Sequence, residues 1–211
     1  MQRKLWIAGA VALAALPAAS FAGTTLLNEN FDELTPMLTA TSAGQFSAID
    51  GTNVDIVGGS LFGSLCVAPE SGNCIDLDGS NGNNPQGILR SNTAFSLVPG
   101  VNYYLSFDLI GSQRGNTTSA TVTFGSYDKV FTLTSGDLAS GIVSDQLITV
   151  SAPTSAYLTF TSNTPGNVGT LLDNVLLTSS APSTGVPEPA TLGLLGLGFA
   201  GLGLARRRRT G

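Results

Sequence analysis

Tyr103-Tyr104-Leu105-Ser106-Phe107-Asp108-Leu109 decides the fold class. Tyr103, Leu105, Phe107 and Leu109 occupy alternate positions, with Tyr104, Ser106 and Asp108 between them. Side chains of a strand point alternately to opposite faces, so this run is a strand with one apolar and one polar side. Just upstream, Val98-Pro99-Gly100-Val101 places Pro and Gly as a turn that starts the strand. Short alternating runs recur at residues 54–57, 74–78, 120–124, 129–133, 147–150, 156–161 and 171–178. Turn clusters at 111–116 and 164–167 separate some of them. No convincing 3.6-residue stripe interrupts the pattern. Many short strands rich in Ser, Thr and Gly predict an all-β domain over residues 23–178. The expected architecture is an antiparallel β-sandwich of jelly-roll type. A domain of that size buries about 70% of its extended-chain surface, enough for a core.

Charge divides the 211 residues into three blocks. The N-terminal segment holds Arg3 and Lys4 and no acid, and the C-terminal one holds four arginines against Glu188. The stretch between them has only Arg90, Arg114 and Lys129 against 13 acids. An acidic domain has no sequence-independent grip on phosphates, so nucleic acid is not an expected partner. The chain contains no His, which excludes a Ser-His-Asp triad, a Cys-His pair and most zinc or haem sites. No catalytic residue is assigned.

Residues 1–22 read as a secretory signal peptide. A basic start precedes the uncharged apolar run 5–16, expected to be the signal helix. That run is too short for a bilayer core that needs roughly 20 residues, and Pro17 ends it. Ser20-Phe21-Ala22 then sets small residues at −3 and −1 of a cut before Gly23, the site for signal peptidase.

The other end is a second membrane signal. A polar linker, 179–185, leads into Val186-Pro187-Glu188-Pro189, where two prolines favour extended backbone. Residues 190–205 are uncharged and apolar, and as a helix would be about 24 Å long. Arg206, Arg207, Arg208 and Arg209 follow and would stop transfer on the cytoplasmic side. The Gly196–Gly201 stretch fits G-x-G-x-x-G, but no acid follows at the required distance, so a dinucleotide site is set aside.

Pro-Glu-Pro, then a Gly/Leu/Ala helix, then terminal arginines closely resemble the PEP-CTERM sorting signal of bacterial surface proteins. The resemblance covers residues 186–209. It implies a Gram-negative host that makes exopolysaccharide. It also implies an exosortase that cuts near Pro187, Glu188 and Pro189, as the hydrophobic tail of a GPI signal is discarded. The expected product is a non-enzymatic component of the cell surface or extracellular matrix, associated with exopolysaccharide or biofilm. A carbohydrate-binding module is the second reading and a glycan-active enzyme the third.

The middle carries a looser likeness. Asn30-Phe31-Asp32, Ile75-Asp76-Leu77-Asp78-Gly79, the 98–108 stretch and Leu172-Asp173-Asn174-Val175 fall in an order similar to galactose-binding-like jelly rolls. Some of these bind sugars, and many hold a structural Ca²⁺ near the chain ends.

Asp173 alternates with Val175 and Leu177, so its carboxylate points inward and needs a partner. Ca²⁺ is one candidate, and the resemblance would bring Glu29 or Asp32 close. Backbone amides and hydroxyls are the other. Asp76 and Asp78 share one strand face. Asp76-x-Asp78-x-Ser80 begins like an EF-hand loop but fails at Asn81 and Gly87. A sugar- or calcium-contacting edge is one reading, and a solvated strand end is favoured. Tyr104 and Tyr157 alternate away from the apolar faces and are the candidate sugar platforms, against ordinary surface tyrosines. Cys66 and Cys74, the two cysteines of the chain, are expected to form a disulfide after export. Ser126-Tyr127-Asp128-Lys129 matches S-x-x-K, but lies in a strand-turn region without a K-T-G partner and is rejected.

Overall fold

The computed structural model describes residues 23–67, 72–80, 86–139 and 141–180. The signal-peptide segment, the PEP-CTERM segment and both of their expected helices lie outside the described residues. Among the described residues the only helical element is a 3₁₀ turn at Gly63–Leu65, and no helix is long and apolar enough to cross a membrane.

The described residues form fifteen strands, in chain order β1 (Thr24–Glu29), β2 (Met37–Ala40), β3 (Ser42–Ala43), β4 (Phe46–Ala48), β5 (Val54–Val57), β6 (Cys74–Asp76), β7 (Ile88–Ser91) and β8 (Phe95–Leu97). Then come β9 (Asn102–Ile110), β10 (Thr118–Phe124), β11 (Tyr127–Leu133), β12 (Val143–Ile148), β13 (Thr154–Ala156), β14 (Thr159–Ser162) and β15 (Leu171–Ser180). They form the expected antiparallel β-sandwich. One sheet runs β12-β9-β15-β6-β5-β2, with β1 also paired to β15. The other runs β11-β10-β14-β7-β4-β3, and β13 and β8 make a separate two-stranded ribbon.

β9 buries Tyr103, Leu105, Phe107 and Leu109 and leaves the alternate positions partly exposed, as its sequence predicts. Phe107 reaches across to the other sheet. Its ring meets Phe131 of β11 at 5.6 Å and Phe160 of β14 at 5.4 Å, both edge-on. Phe160 continues to Phe46, and Phe46 to Phe31. Edge-to-face contacts of this kind add to the area buried. The 98–101 turn closes as expected, with Gly100 at φ +81°, a conformation that costs glycine little. The Tyr103 hydroxyl pins that turn by accepting the Val98 N–H at 2.9 Å.

Three element boundaries differ from the sequence reading. The 156–161 run is broken at Tyr157-Leu158, where the chain leaves β13 and enters β14. Buried Leu158 is held there by Ser91, whose hydroxyl accepts its N–H at 3.1 Å and whose N–H donates to its carbonyl at 2.8 Å. The 74–78 run ends as a strand at Asp76, whose carboxylate takes the Asp78 N–H at 3.0 Å. The first two residues of the stretch read as a linker, Ser179 and Ser180, are strand instead. Ser179 and Ser180 continue β15 opposite Tyr103 and Asn102, and Ser179 also faces Thr24 of β1.

Candidate functional site

The predicted disulfide is present: Cys66 and Cys74 are bridged, with Cα atoms 5.7 Å apart. It ties the segment after the 3₁₀ turn to the start of β6.

Asp76 and Asp78 are not a solvated strand end. Both are buried, at 1% and 0% exposure. β6 lies between β5 and β15, all three of its residues are buried, and the Arg114 loop and the Gly169 segment close over Asp76. Asp76 Oδ1 accepts the N–H of Asp78 at 3.0 Å and of Gly169 at 2.9 Å. Its other oxygen is paired with Arg114, from the loop between β9 and β10. Gly169 lies so close that any Cβ there would overlap the Asp76 carboxylate. Asp55, opposite Asp76 on β5, accepts the N–H of Thr39 at 2.8 Å and of Ser80 at 3.0 Å, and the Ser80 hydroxyl.

Neither carboxylate oxygen of Asp78 receives a hydrogen bond of ordinary geometry from the described residues. The Gly87 N–H and Ser162 hydroxyl face it and favour its charged form. Burial and then the Asp76 charge outweigh them and push its pKa up to about 7. Burial likewise raises Asp76 to about 6, against the pull of Arg114.

Glu29, Asp32 and Asp173 are not gathered into one constellation. Glu29 accepts the N–H of Phe31 at 3.0 Å and of Gln45 at 2.9 Å. Asp32 turns toward Asn73 and Asn30, accepting their N–H groups at 3.0 Å each. Asp173 is buried, as its alternation predicts, and accepts the Asn174 N–H at 2.7 Å. Glu29 stands opposite Val175, so it and Asp173 lie on paired strands, while Asp32 belongs to another loop. Among the described residues no three acidic, His or Cys groups are placed to hold a metal ion together.

Tyr104 and Tyr157 lie on opposite outer faces. Tyr104 stands on β9 between Leu147 and Thr178. Tyr157, 42% exposed, lies under the Arg90 guanidinium of the other sheet, 4.4 Å from its ring centre. They cannot stack on one sugar.

Sequence reading missed a cleft at one edge of the sandwich. It encloses about 220 Å³ between β1, the β3–β4 turn and the β7–β8 turn. Leu26, Leu27 and Phe95 supply apolar wall; Gln45, Asn92 and Thr93 supply polar rim. The Gln45 amide donates to the Asn28 carbonyl at 2.6 Å. Asn92 donates to the Gly44 carbonyl at 3.2 Å and accepts the Ser47 hydroxyl at 2.6 Å. Both amides are therefore fixed in orientation, with hydrogen-bonding capacity left over. None of these lining residues is charged. They lie in three separate turns and strands, and no local motif unites them.

Residues 185–209 match the model of the PEP-CTERM protein-sorting motif. The chain carries a PEP-CTERM sorting signal. That signal marks an exported protein sorted through the membrane to the cell surface. No curated protein matches the chain. Among solved structures it is similar to the CBM22-1–GH10 modules of xylanase 10B from Clostridium thermocellum. That match is 11% identical, covers 80% of this chain and has a TM-score of 0.38. The chain spans only 31% of that protein. The K3 cleaved adhesin domain of Lys-gingipain from Porphyromonas gingivalis is 16% identical over 74% of this chain and 99% of its own, at TM-score 0.41. The CBM22-1 xylan-binding domain of Paenibacillus barcinonensis Xyn10C is 16% identical over 77% and 98%, at 0.40. These are likenesses of fold.

Proposed function

We propose that this PEP-CTERM protein is cut by an exosortase and left at the cell surface or in the exopolysaccharide matrix of a Gram-negative bacterium. There it serves as a non-catalytic structural or adhesive component of the biofilm. Signal peptidase would remove residues 1–22 on the way. The sorting motif carries this reading, and its position supports it. Among the described residues the last strand ends at Ser180, and Pro187-Glu188-Pro189 follow it in the sequence. A cut there would release an intact sandwich. The burial of Asp76 and Asp78 supports a non-catalytic role, because enclosed carboxylates offer no path to a glycosidic bond. The test is co-expression with and without an exosortase, followed by intact mass of the exported product. Loss of Arg206 to Arg209 only when the exosortase is present supports the reading. Retention of those arginines in its presence overturns it.

The second reading, a carbohydrate-binding module, is favoured by the uncharged edge cleft. An apolar wall with fixed amides on the rim suits the apolar face and hydroxyls of a neutral sugar. Its volume is below the roughly 300–1,000 Å³ of drug-sized pockets, which suits a single ring. The host exopolysaccharide should be retarded on an affinity gel by the wild type and not by Thr93→Trp, which fills the cleft. Unchanged retardation by that variant would remove the cleft from the account. The structural Ca²⁺ implied by the jelly-roll likeness is a separate proposal. Glu29 and Asp173 are its protein ligands on the paired strands, and a melting temperature lowered by EDTA and restored by Ca²⁺ is its test.

A further inference from the structure

We propose that Asp76, Asp78 and Arg114 form a proton-operated clasp: a proton held on Asp78 keeps the seam between β6, the β9–β10 loop and the approach to β15 closed, and its loss to solvent opens that seam. The cluster joins segments far apart in sequence. Asp76 alone ties Arg114 and Gly169 to β6.

The charges do not balance. Three carboxylates meet here: Asp55 from β5, Asp76 at the end of β6, and Asp78 just beyond it. Among the described residues Arg114 is the one cation facing them. β14 and the approach to β15 contribute only uncharged groups, Ser162, Gly169 and Thr170. Three donated hydrogen bonds compensate Asp55. Two N–H groups and the guanidinium compensate Asp76. Asp78 is as deeply enclosed as either and has the poorest set of donors. An ionised carboxylate in that position is costly, and it must be neutralised or move toward water. The proton therefore resides on Asp78, and the raised titration of both aspartates agrees with this.

When Asp78 ionises, its repulsion from Asp76 adds to its own burial cost. Both are relieved if the turn at Asp78–Ser80 lifts from the sheet. That movement breaks the Asp78 N–H bond to Asp76 and the Ser80 bonds to Asp55, and it exposes the Gly169 N–H. The β9–β15 pairing around Leu105 and Leu177 is remote from the cluster and stays closed.

The experiment follows the isotopically labelled full chain in detergent micelles by NMR, from about pH 5 to about pH 9. Two quantities are read: the Asp78 side-chain carboxyl shift, and amide exchange corrected for its intrinsic pH dependence. The carboxyl should titrate near neutrality. Protection of the Asp78, Ser80 and Gly169 amides should fall about tenfold per pH unit above that point, while Leu105 and Phe107 hold. In Asp78→Asn, protection should persist across the range. Titration of the wild-type carboxyl near an ordinary aspartate value, or protection flat with pH, overturns the clasp, and neither readout needs a variant to fold. Restoration of protection by millimolar CaCl₂ above pH 8 would make the cluster a cation site instead and would also overturn it.

Discussion

Phe107 and Asp76 hold comparable positions in the fold and are buried by opposite chemistry. Each lies on an inner strand of the same sheet, and each is about 1% exposed. Phe107 is held by non-directional contact with rings from the facing sheet. Asp76 is held by three directed partners, two N–H groups and one guanidinium. The first kind of burial carries no group whose charge changes with pH, whereas the second depends on the ionisation of its neighbours. The sandwich therefore joins a core that tolerates its surroundings to a corner that responds to them.

Truncation at the core should show the largest effect. Phe107→Ala removes the ring linking Phe131 and Phe160, and should cost about 3–5 kcal/mol in denaturant unfolding, equally at pH 5 and pH 8. At the corner, Arg114→Met leaves Asp76 buried without its counter-ion. The Arg114 side chain is 29% exposed, so the loss should be smaller, about 2–3 kcal/mol, and greater at pH 8 than at pH 5. A pH-independent loss at Arg114 would erase the contrast. Replacing Cys66 and Cys74 together by Ser tests a third kind of restraint. The closed loop is short, so about 2–3 kcal/mol should be lost, again without dependence on pH in this range.

The wild type should itself report the corner. Asp76 and Asp78 have folded-state pKa values of about 6 and about 7 against 3.8 in the unfolded chain. Between those limits the folded state binds more protons than the unfolded one. Stability from this pair is fully present below about pH 4, is lost as pH rises, and levels off above about pH 7. Denaturation midpoints taken from pH 4.5 to pH 8.5 should fall accordingly. Asp78→Asn should flatten most of that slope and gain about 1–2 kcal/mol at the alkaline end. A wild-type midpoint that rises over this range would mean the cluster is ionised and well paired.

The two regions were not equally legible in the sequence. Period-two alternation at 103–109 settled the class of fold, because an apolar side chain needs only to face inward, and direction is local information. The same alternation placed Asp173 correctly. It failed at Asp76 and Asp78, where polar identity suggested solvent. Whether the outer face of a strand is covered depends on segments distant in sequence, and here the β9–β10 loop with Arg114 and the approach to β15 with Gly169 are brought over Asp76 by chain topology. A clue was nonetheless present. A domain with 13 acids and three cations has few means of neutralising an acid, and Arg114 is one of them. The edge cleft had no such clue, because Leu26 of β1, Gln45 of the β3–β4 turn and Phe95 of β8 meet only when three segments distant in sequence converge. Glu29 and Asp32 are three residues apart, yet the chain turns between them and sends their carboxylates to different loops.

Tyr157 marks the smallest expected effect and the sharpest contrast with Asp76. Its ring also meets an arginine, but at the surface. The Arg90 guanidinium lies 4.4 Å from the ring centre, and the tyrosine is 42% exposed. Cation–π contacts at exposed sites contribute about 0.5–1 kcal/mol, and water competes for the guanidinium there. Tyr157→Ala should therefore cost about 0.5 kcal/mol, with no difference between pH 5 and pH 8. Arg114 and Arg90 are the same residue type on one domain. Their difference lies in what surrounds the partner, an enclosed carboxylate for one and a half-open ring for the other. If Tyr157→Ala proved as costly as Arg114→Met, enclosure would not be the variable that separates the two regions.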